Sequence, residues 1–150
     1  MSSLPVLYAE DDEHDVLFLE RAFKKAEILN PIHVAHDGQE AIDYLSQAAA
    51  REAQPPRPLP SLVILDVKMP RMTGLEVLAW LRRESGLPPL PVIMFSSSAH
   101  NHDVERALGL GANAFVVKPA DVDERLRFAR AVKEFWLHFN DLSAIHGQEK

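Results

Sequence analysis

The sequence predicts an α/β fold in which one parallel β-sheet is covered by helices on both faces. Short apolar runs alternate with helix-length segments five times along the chain, which is typical of a doubly wound sheet. Several of these runs are apolar at every position, as expected for strands that are buried on both sides. The chain has 150 residues, and 47% of them are hydrophobic. This length and composition predict one domain with a sizeable core.

The predicted strands and helices follow one another in a regular order. The apolar runs are 4–9, 32–36, 62–65, 91–96 and 114–117, and the helix-length segments are 13–29, 38–50, 75–84, 101–110 and 121–140. Four prolines between residues 51 and 60 predict a loop before the third strand. We therefore expect a single domain over residues 1–150, with its core at about 4–139 and a polar tail at 140–150.

Composition restricts the partners and the location of the protein. A net charge of −6 without a long basic run argues against nucleic-acid binding. No apolar run reaches the roughly 18 residues of a membrane helix, and the early acidic residues do not suit a signal peptide. The chain contains no cysteine, which excludes disulfides and thiolate chemistry and fits a cytoplasmic location.

Polar residues stand where four of the five predicted strands end. They are Glu10, Asp11 and Asp12 after the first strand, Asp66 after the third, Ser96 at the end of the fourth and Lys118 after the fifth. Because the carboxyl ends of parallel strands border one crevice, we expect these side chains to converge. An oxygen-rich acidic site suits Mg²⁺, and a divalent ion beside a lysine attracts a phosphoryl group. One carboxylate could then act as a nucleophile.

Each of these residues also has a simpler interpretation. Asp12, Glu13 and Asp15 stand at the start of the first predicted helix, where acidic residues commonly cap and charge the first turn, and this is the role that we expect for them. Asp66 alone would suit a turn, and Lys118 alone would suit the protein surface. The coincidence of four suitable strand ends is what favours a functional site.

Four stretches together resemble a response-regulator receiver domain, the phosphoacceptor of two-component signalling. They are "YAEDD", "ILDVKMPRMTG", "PVIMFSSS" and "GANAFVVKP". Asp66 precedes Ser96 by 30 residues and Lys118 by 52, which are typical separations in that family. The resemblance covers the chain from about Leu4 to Phe139. It implies a flavodoxin-like five-stranded parallel sheet in the order 2-1-3-4-5 with five helices.

The resemblance also implies a chemical role for the acidic residues. Asp66 would be the phosphoacceptor, and a sensor histidine kinase would supply the phosphoryl group. Glu10 and Asp11 would hold Mg²⁺, with Asp66 and the backbone carbonyl of Lys68 completing the ligands from the protein. Such a protein is a signalling component that catalyses only its own phosphorylation and dephosphorylation.

Three further positions match the residues by which this family responds to phosphorylation. Ser96 takes the place of the hydroxyl residue that binds a phosphoryl oxygen, and Lys118 would pair with that oxygen. Phe115 occupies the position of the switch aromatic residue, where many relatives have tyrosine. A phenylalanine can swing inward but offers no hydroxyl group.

Other functions fit the sequence less well. A hydrolase of the haloacid dehalogenase type also uses Asp, Mg²⁺ and Lys, but it requires a second Asp two residues after the nucleophile, where this chain has Lys68. A flavin carrier on the same fold would have its cofactor phosphate repelled by three acidic residues. A DNA-binding regulator needs an effector domain, and only about ten residues follow the last predicted helix.

The final predicted helix suggests both a subfamily and an interface. The stretch "VKEFWLHFN" (132–140) resembles the stand-alone regulators of bacterial and cyanobacterial phytochromes, so we expect a bacteriophytochrome kinase as partner. Phe128, Phe135 and Phe139 lie on one flank of the helix, beside the apolar stripe that seats it on the sheet. The stripe consists of Val122, Leu126, Ala129, Val132 and Trp136. Either the three rings pack under the tail or against helix one, or they form an exposed patch. We expect the patch, and a homodimer through helix four, strand five and helix five.

Overall fold

The computed structural model describes residues 4–50 and 58–143 and contains the predicted parallel sheet. The strands are β1 (Val6–Ala9), β2 (Ile32–Ala35), β3 (Leu62–Asp66), β4 (Val92–Ser96) and β5 (Ala114–Val117). They lie in the order β2-β1-β3-β4-β5, which confirms the predicted topology. The predicted proline-rich loop at 51–60 and the polar tail at 140–150 lie largely outside the described residues.

Helices cover both faces of this sheet. They are α1 (Glu13–Lys25), α2 (Gly38–Ala50), α3 (Gly74–Arg83), α4 (Asn101–Gly109) and α5 (Val122–Ala131), and α5 continues into a π-helical segment at Val132–Phe139. Within the described ranges, the structure contains no helix with the length and hydropathy that a bilayer-spanning segment needs.

Alternate residues of the central strands face opposite layers of the core. Leu7 and Leu65 pack with residues of α2 and α3 on one face of the sheet. Tyr8 and Ile64 pack with α1 and α5 on the other face. These strand side chains are fully buried, and the burial of their apolar area drives the assembly of the three layers.

The register of the strands determines which residues meet at their carboxyl ends. Ala9 is paired with Leu65 across the β1–β3 ladder, so the next residues of both strands, Glu10 and Asp66, are neighbours. Ser96 is paired with Val117 across the β4–β5 ladder, which places Lys118 directly after this pair. The fold therefore brings the predicted site residues together at the carboxyl ends of the central strands.

Two helices end several residues before the predicted position. α1 ends at Lys25 rather than at residue 29, because Glu27 adopts the left-handed conformation with φ of 59°. A left-handed residue cannot continue a right-handed helix. The single helix predicted over 121–140 keeps α-helical geometry only to Ala131, and the backbone N–H of Asn140 donates to the carbonyl of Phe135, five residues earlier.

The predicted patch of three exposed phenylalanines is wrong for Phe128. Its ring is half-buried and stacks on Phe95 of β4, with centroids 5.1 Å apart. Phe135 and Phe139 are exposed, at 54% and 69% of their surface. The π-helical turns rotate the chain less per residue than α-helical turns, so these two rings do not continue the face that Phe128 occupies. Val122, predicted in the buried stripe, is also exposed.

Candidate functional site

Glu10 is a buried carboxylate at the end of β1. Only 1% of its surface is exposed. Its Oε1 atom accepts a hydrogen bond from the hydroxyl of Tyr8 at 3.0 Å, and its Oε2 atom accepts one from the backbone N–H of Asp12 at 3.2 Å. Tyr8 and Glu10 face the same side because side chains alternate along a strand. Strand β1 therefore supplies both the acid and a hydroxyl that orients it.

Asp66 ends β3 at the start of a closely packed loop. Its Oδ1 atom accepts from the backbone N–H of Lys68 at 3.3 Å. The loop closes through Gly74, whose N–H donates to the carbonyl of Val67 at 3.0 Å. A Cβ atom on Gly74 would stand 2.1 Å from the carbonyl oxygen of Asp66, so only glycine fits this approach. The start of α3 thus holds the backbone of Asp66 in place.

Lys118 contacts three carboxylates at the carboxyl ends of the central strands. Its Nζ atom lies 2.7 Å from Glu10 Oε1, 2.8 Å from Asp15 Oδ2 and 3.4 Å from Asp66 Oδ2. The backbone N–H of Lys118 donates to the carbonyl of Ser96 at 2.7 Å, which fixes the residue beside β4. We refer to Glu10, Asp15, Asp66 and Lys118 as the central cluster.

The central cluster has more negative than positive charge, and the pKa values reflect this excess. Burial and the neighbouring Asp66 raise the pKa of Glu10 to about 7, although Lys118 acts in the opposite direction. Burial alone would lower the pKa of Lys118, but its hydrogen bonds with Asp15 and Glu10 raise it. Burial and the Glu10 carboxylate also raise the pKa of Tyr8. One lysine therefore does not neutralise the acids that surround it.

Three carboxylates at the carboxyl ends of β1 and β3 could share a metal ion. One oxygen each of Glu10, Asp11 and Asp66 lies within 4.8 Å of the others. Asp11 is exposed, whereas Glu10 and Asp66 are buried, so the group opens toward solvent on one side. Oxygen ligands in this arrangement fit a hard divalent cation, which would also reduce the repulsion between the acids. The observed donors therefore suit the type of ion that the sequence predicts.

The two predicted switch residues lie on the neighbouring strands β4 and β5. Ser96 is buried at the end of β4, and its hydroxyl donates to the carbonyl of Ser98 at 2.8 Å. Phe115 is half-buried in β5 and packs against the core layer formed with α2, α3 and α4. Ser96 thus ends β4, and its hydroxyl is bound within the loop that follows the strand.

Two residues of this site were not predicted. Asp15 was expected to cap α1, but Asp12 performs that role by accepting from the N–H groups of His14 and Asp15. Asp15 instead turns to Lys118. Its position in the first turn of α1, directly after the acidic residues that follow β1, is the signal that could have identified it. Tyr8 could have been identified from its two-residue spacing to Glu10 on the same strand.

A second ion pair lies beside the outer strand β2 of the sheet. It joins Asp37 and Arg71, and we refer to it as the edge pair. Arg71 follows β3 and donates from Nη2 to Asp37, which follows β2. The other carboxylate oxygen of Asp37 accepts from the backbone N–H of Glu40 at 2.9 Å, in the first turn of α2. The hydrogen bond from Arg71 is the main cause of the lowered pKa of Asp37.

Comparisons with known proteins agree with this architecture. Residues 6–129 match the model of the response regulator receiver domain family. The probable methanogenesis regulatory protein FilR2 of Methanothrix harundinacea (strain 6Ac) is 30% identical over 135 residues, which cover 90% of this chain and 84% of that protein.

Two solved structures are also similar. Response regulator RPA3017 in red light signaling of R. palustris has a TM-score of 0.82 and 31% identity, covering 92% of this chain and 96% of that one. The bacteriophytochrome response regulator AtBRR has a TM-score of 0.73 and 34% identity, covering 95% and 99%.

These matches favour phosphoacceptor signalling over the haloacid dehalogenase alternative. The position two residues after Asp66, where that hydrolase class carries its second Asp, is Lys68. The family match covers most of the chain, including the strands and loops that carry the central cluster. The chain therefore belongs to the response regulator receiver domain family, whose members are signalling proteins of two-component systems.

Proposed function

We propose that this chain is a response regulator with a single receiver domain over residues 1–150 that accepts a phosphoryl group on Asp66 from a sensor histidine kinase. The observation that carries this proposal is the placement of Asp66. Its buried carboxylate ends β3 with the Lys118 ammonium 3.4 Å away and further carboxylates beside it. A nucleophile, a cation and an acidic metal-binding group are thereby gathered within one small volume.

The proposed reaction moves one phosphoryl group between two side chains. An oxygen of the Asp66 carboxylate attacks phosphorus and forms an O–P bond, while the N–P bond to the kinase histidine breaks and the imidazole leaves. Lys118 donates hydrogen bonds to the transferring oxygens, where charge develops. The product carries roughly 1.5 to 2 additional negative charges at Asp66, by analogy with other phosphorylated side chains.

We also propose that Mg²⁺ binds at this site. Glu10, Asp11 and Asp66 would hold the ion together with the backbone carbonyl of Lys68. Bound there, Mg²⁺ supplies positive charge that stabilises the transferring oxygens. The raised pKa of Glu10 supports this assignment, because burial and the neighbouring Asp66 both disfavour its negative charge unless a further cation is present.

The response to phosphorylation would pass through Ser96 and Phe115. The Ser96 hydroxyl would leave the carbonyl of Ser98 and donate to a phosphoryl oxygen. That movement shifts the loop after β4, and Phe115 of the neighbouring strand can then move further inward. Output would pass to another protein rather than to nucleic acid, in keeping with the net charge of −6.

Mass spectrometry after incubation with acetyl phosphate and Mg²⁺ tests the phosphoacceptor. We expect one added phosphoryl mass on the parent protein and none on Asp66→Asn. The matched control is Asp12→Asn, which changes an exposed aspartate and keeps a residue that can cap α1. The assignment of Asp66 is wrong if Asp66→Asn is labelled like the parent.

We propose a red-light bacteriophytochrome kinase as the partner that phosphorylates this chain. The similarity to RPA3017 and AtBRR, whose names refer to red light signaling and bacteriophytochrome, supports this choice. We place the protein in the cytoplasm, where a histidine kinase obtains its phosphoryl group from ATP. Transfer from a purified, autophosphorylated bacteriophytochrome kinase to the parent but not to Asp66→Asn is the expected result. Failure of transfer, while acetyl phosphate labels the parent, would exclude this kinase class.

We further propose a homodimer through the face formed by α4, β5 and α5. Exposed apolar residues support this face: Leu108 on α4, Val117 on β5, Val122 on α5, and Phe135 and Phe139 beyond it. A second copy related by two-fold symmetry would cover all of them at once. Light scattering should show a dimer for the parent and a folded monomer for Phe135→Glu with Phe139→Glu. Leu17→Glu on α1, also at an exposed position, should remain dimeric, and a monomeric parent would contradict the proposal.

A further inference from the structure

Lys118 donates hydrogen bonds to two acidic side chains in the unphosphorylated protein. Its ammonium group has three N–H donors. Two of them are within hydrogen-bond distance of Glu10 and Asp15, at 2.7 and 2.8 Å. Asp66 lies further away, at 3.4 Å, and makes an ion pair without a short hydrogen bond. The lysine therefore stands closer to its two supporting acids than to the carboxylate that reacts in the proposed function.

The two supporting acids differ in their position. Glu10 is buried, and its Oε1 atom is also bound by the hydroxyl of Tyr8, so it belongs to the rigid end of β1. Asp15 stands on the first turn of α1, and its side chain is 31% exposed. Lys118 is its one hydrogen-bonded side-chain partner in the described parts of the chain. Asp15 is thus the acid from which the ammonium can move most readily.

We propose that Asp15 is a positioning residue that holds Lys118 back from Asp66 and so limits the rate at which Asp66 is phosphorylated. This inference rests on the proposed function of Asp66. When the phosphoryl donor arrives, the ammonium moves from Asp15 toward the transferring oxygens. Asp15 therefore competes with the transition state for one cation. Removal of its charge leaves Lys118 free to serve the reaction.

The size of the effect follows from the exposure of the pair. A partly exposed ion pair contributes modestly to a free energy, and its loss corresponds to a change in rate of about fivefold. We expect Asp15→Asn to be phosphorylated by acetyl phosphate and Mg²⁺ about five times faster than the parent. Asp15→Glu keeps the charge on a longer side chain and should retain a rate near that of the parent.

Two controls separate this role from a general change in charge. Glu13→Gln removes one carboxylate from the same helix turn, and Glu13 is not among the acids that pair with Lys118 in the described part of the chain. The Asp15→Asn substitution is also placed in a Lys118→Gln background. If Asp15 acts through the lysine, the gain in rate disappears there. An equal gain in both backgrounds, or in Glu13→Gln, would overturn the proposal.

A measurement without metal or phosphoryl donor tests the contact itself. Unfolding of the parent, Asp15→Asn, Lys118→Gln and the double variant in EDTA forms a double-mutant cycle. We expect a coupling equivalent to about a fivefold change in the unfolding equilibrium constant. Absence of coupling refutes the contact. A parent that acetyl phosphate labels on Asp66, with Asp15→Asn labelled at the same rate, refutes the inference and leaves the proposed function intact. A parent that is not labelled refutes both.

Discussion

The edge pair and the central cluster both join a cation from one loop to a carboxylate that follows another strand. At the edge, the Arg71 side chain is 69% exposed, and one arginine meets one aspartate. At the centre, the Lys118 side chain is 14% exposed, and one lysine meets Glu10, Asp15 and Asp66. The two regions use the same kinds of charged residue but differ in the burial of the cation and in the balance of charge.

Because of this difference, the pKa of the acid is lowered at the edge and raised at the centre. Hydrogen bonds from Arg71 and from backbone N–H groups lower the pKa of Asp37. Burial and the neighbouring Asp66 raise the pKa of Glu10 to about 7. At the edge, one exposed cation balances one carboxylate, so the pair serves mainly to connect two loops. Surplus buried negative charge at the centre costs stability, and it favours the further cation that the proposed function places there.

Removal of each cation should show the largest contrast between the two regions. Lys118→Met leaves buried carboxylates without their cation and should lower the free energy of unfolding by about 3 kcal/mol at pH 8. Arg71→Met removes an exposed cation, and Asp37 keeps the hydrogen bond from the backbone N–H of Glu40, so the loss should be smaller. Urea denaturation of both variants in EDTA measures the contrast. Equal losses would contradict the distinction between centre and edge.

In the metal-free protein, the contributions of the two regions to stability should also change with pH in opposite directions. The folded pKa of Glu10 lies above its ordinary value of 4.5, so between about pH 7 and pH 4.5 the folded state binds more protons than the unfolded state. Its contribution to stability therefore rises by up to about 3 kcal/mol as the pH falls through this range. Glu10→Gln should abolish that rise.

Asp37 has the opposite sign. Its folded pKa lies below its ordinary value, so its contribution is present above about pH 4 and is lost as the pH falls below it. Asp37→Asn should remove a loss of stability at acid pH and leave the profile above pH 4 parallel to that of the parent. Melting temperatures of the parent and both variants across this range measure the two profiles. A Glu10→Gln profile identical to that of the parent would contradict the raised pKa.

The smallest expected effect concerns backbone strain at two residues, Arg71 of the edge pair and Glu27 after α1. Arg71 and Glu27 both have positive φ, at 66° and 59°. Glu27→Gly relieves this strain and should raise the free energy of unfolding by about 0.5–1 kcal/mol. Arg71→Gly relieves similar strain but also removes the ion pair with Asp37, so it should be stabilised less than Glu27→Gly. An equal gain in both variants would mean that the edge pair contributes nothing measurable.

The fold was predictable because its signals are local and repeated. Buried strands such as "LVIL" and "PVIMFS" are apolar at every position, and the resemblance supplied their order. The end of α1 was not predictable from apolar spacing, because Glu27 shows no glycine or proline signal for its left-handed turn. The change to π-helical geometry after Ala131 also leaves no mark in a pattern of apolar residues.

The central cluster was predictable only in part. Glu10, Asp66 and Lys118 stand directly at strand ends, so their meeting follows from the topology. The contact between Asp15 and Lys118 joins residues that are 103 positions apart, and a local interpretation of Asp15 favours a helix cap. Phe128 likewise depends on Phe95, a partner that helical periodicity cannot reveal. Tertiary partners decide the roles of residues whose local preferences are ambiguous.

The dependence of the melting temperature on Mg²⁺ tests most directly the claim that the centre lacks positive charge. We predict that Mg²⁺ at about a hundred times its Kd raises the melting temperature of the parent by about 5 °C or more over its value in EDTA. Asp37→Asn at the edge should show the same rise, and Asp11→Ala at the centre should show almost none. An unchanged parent, or an Asp11→Ala variant that rises like the parent, would contradict the account.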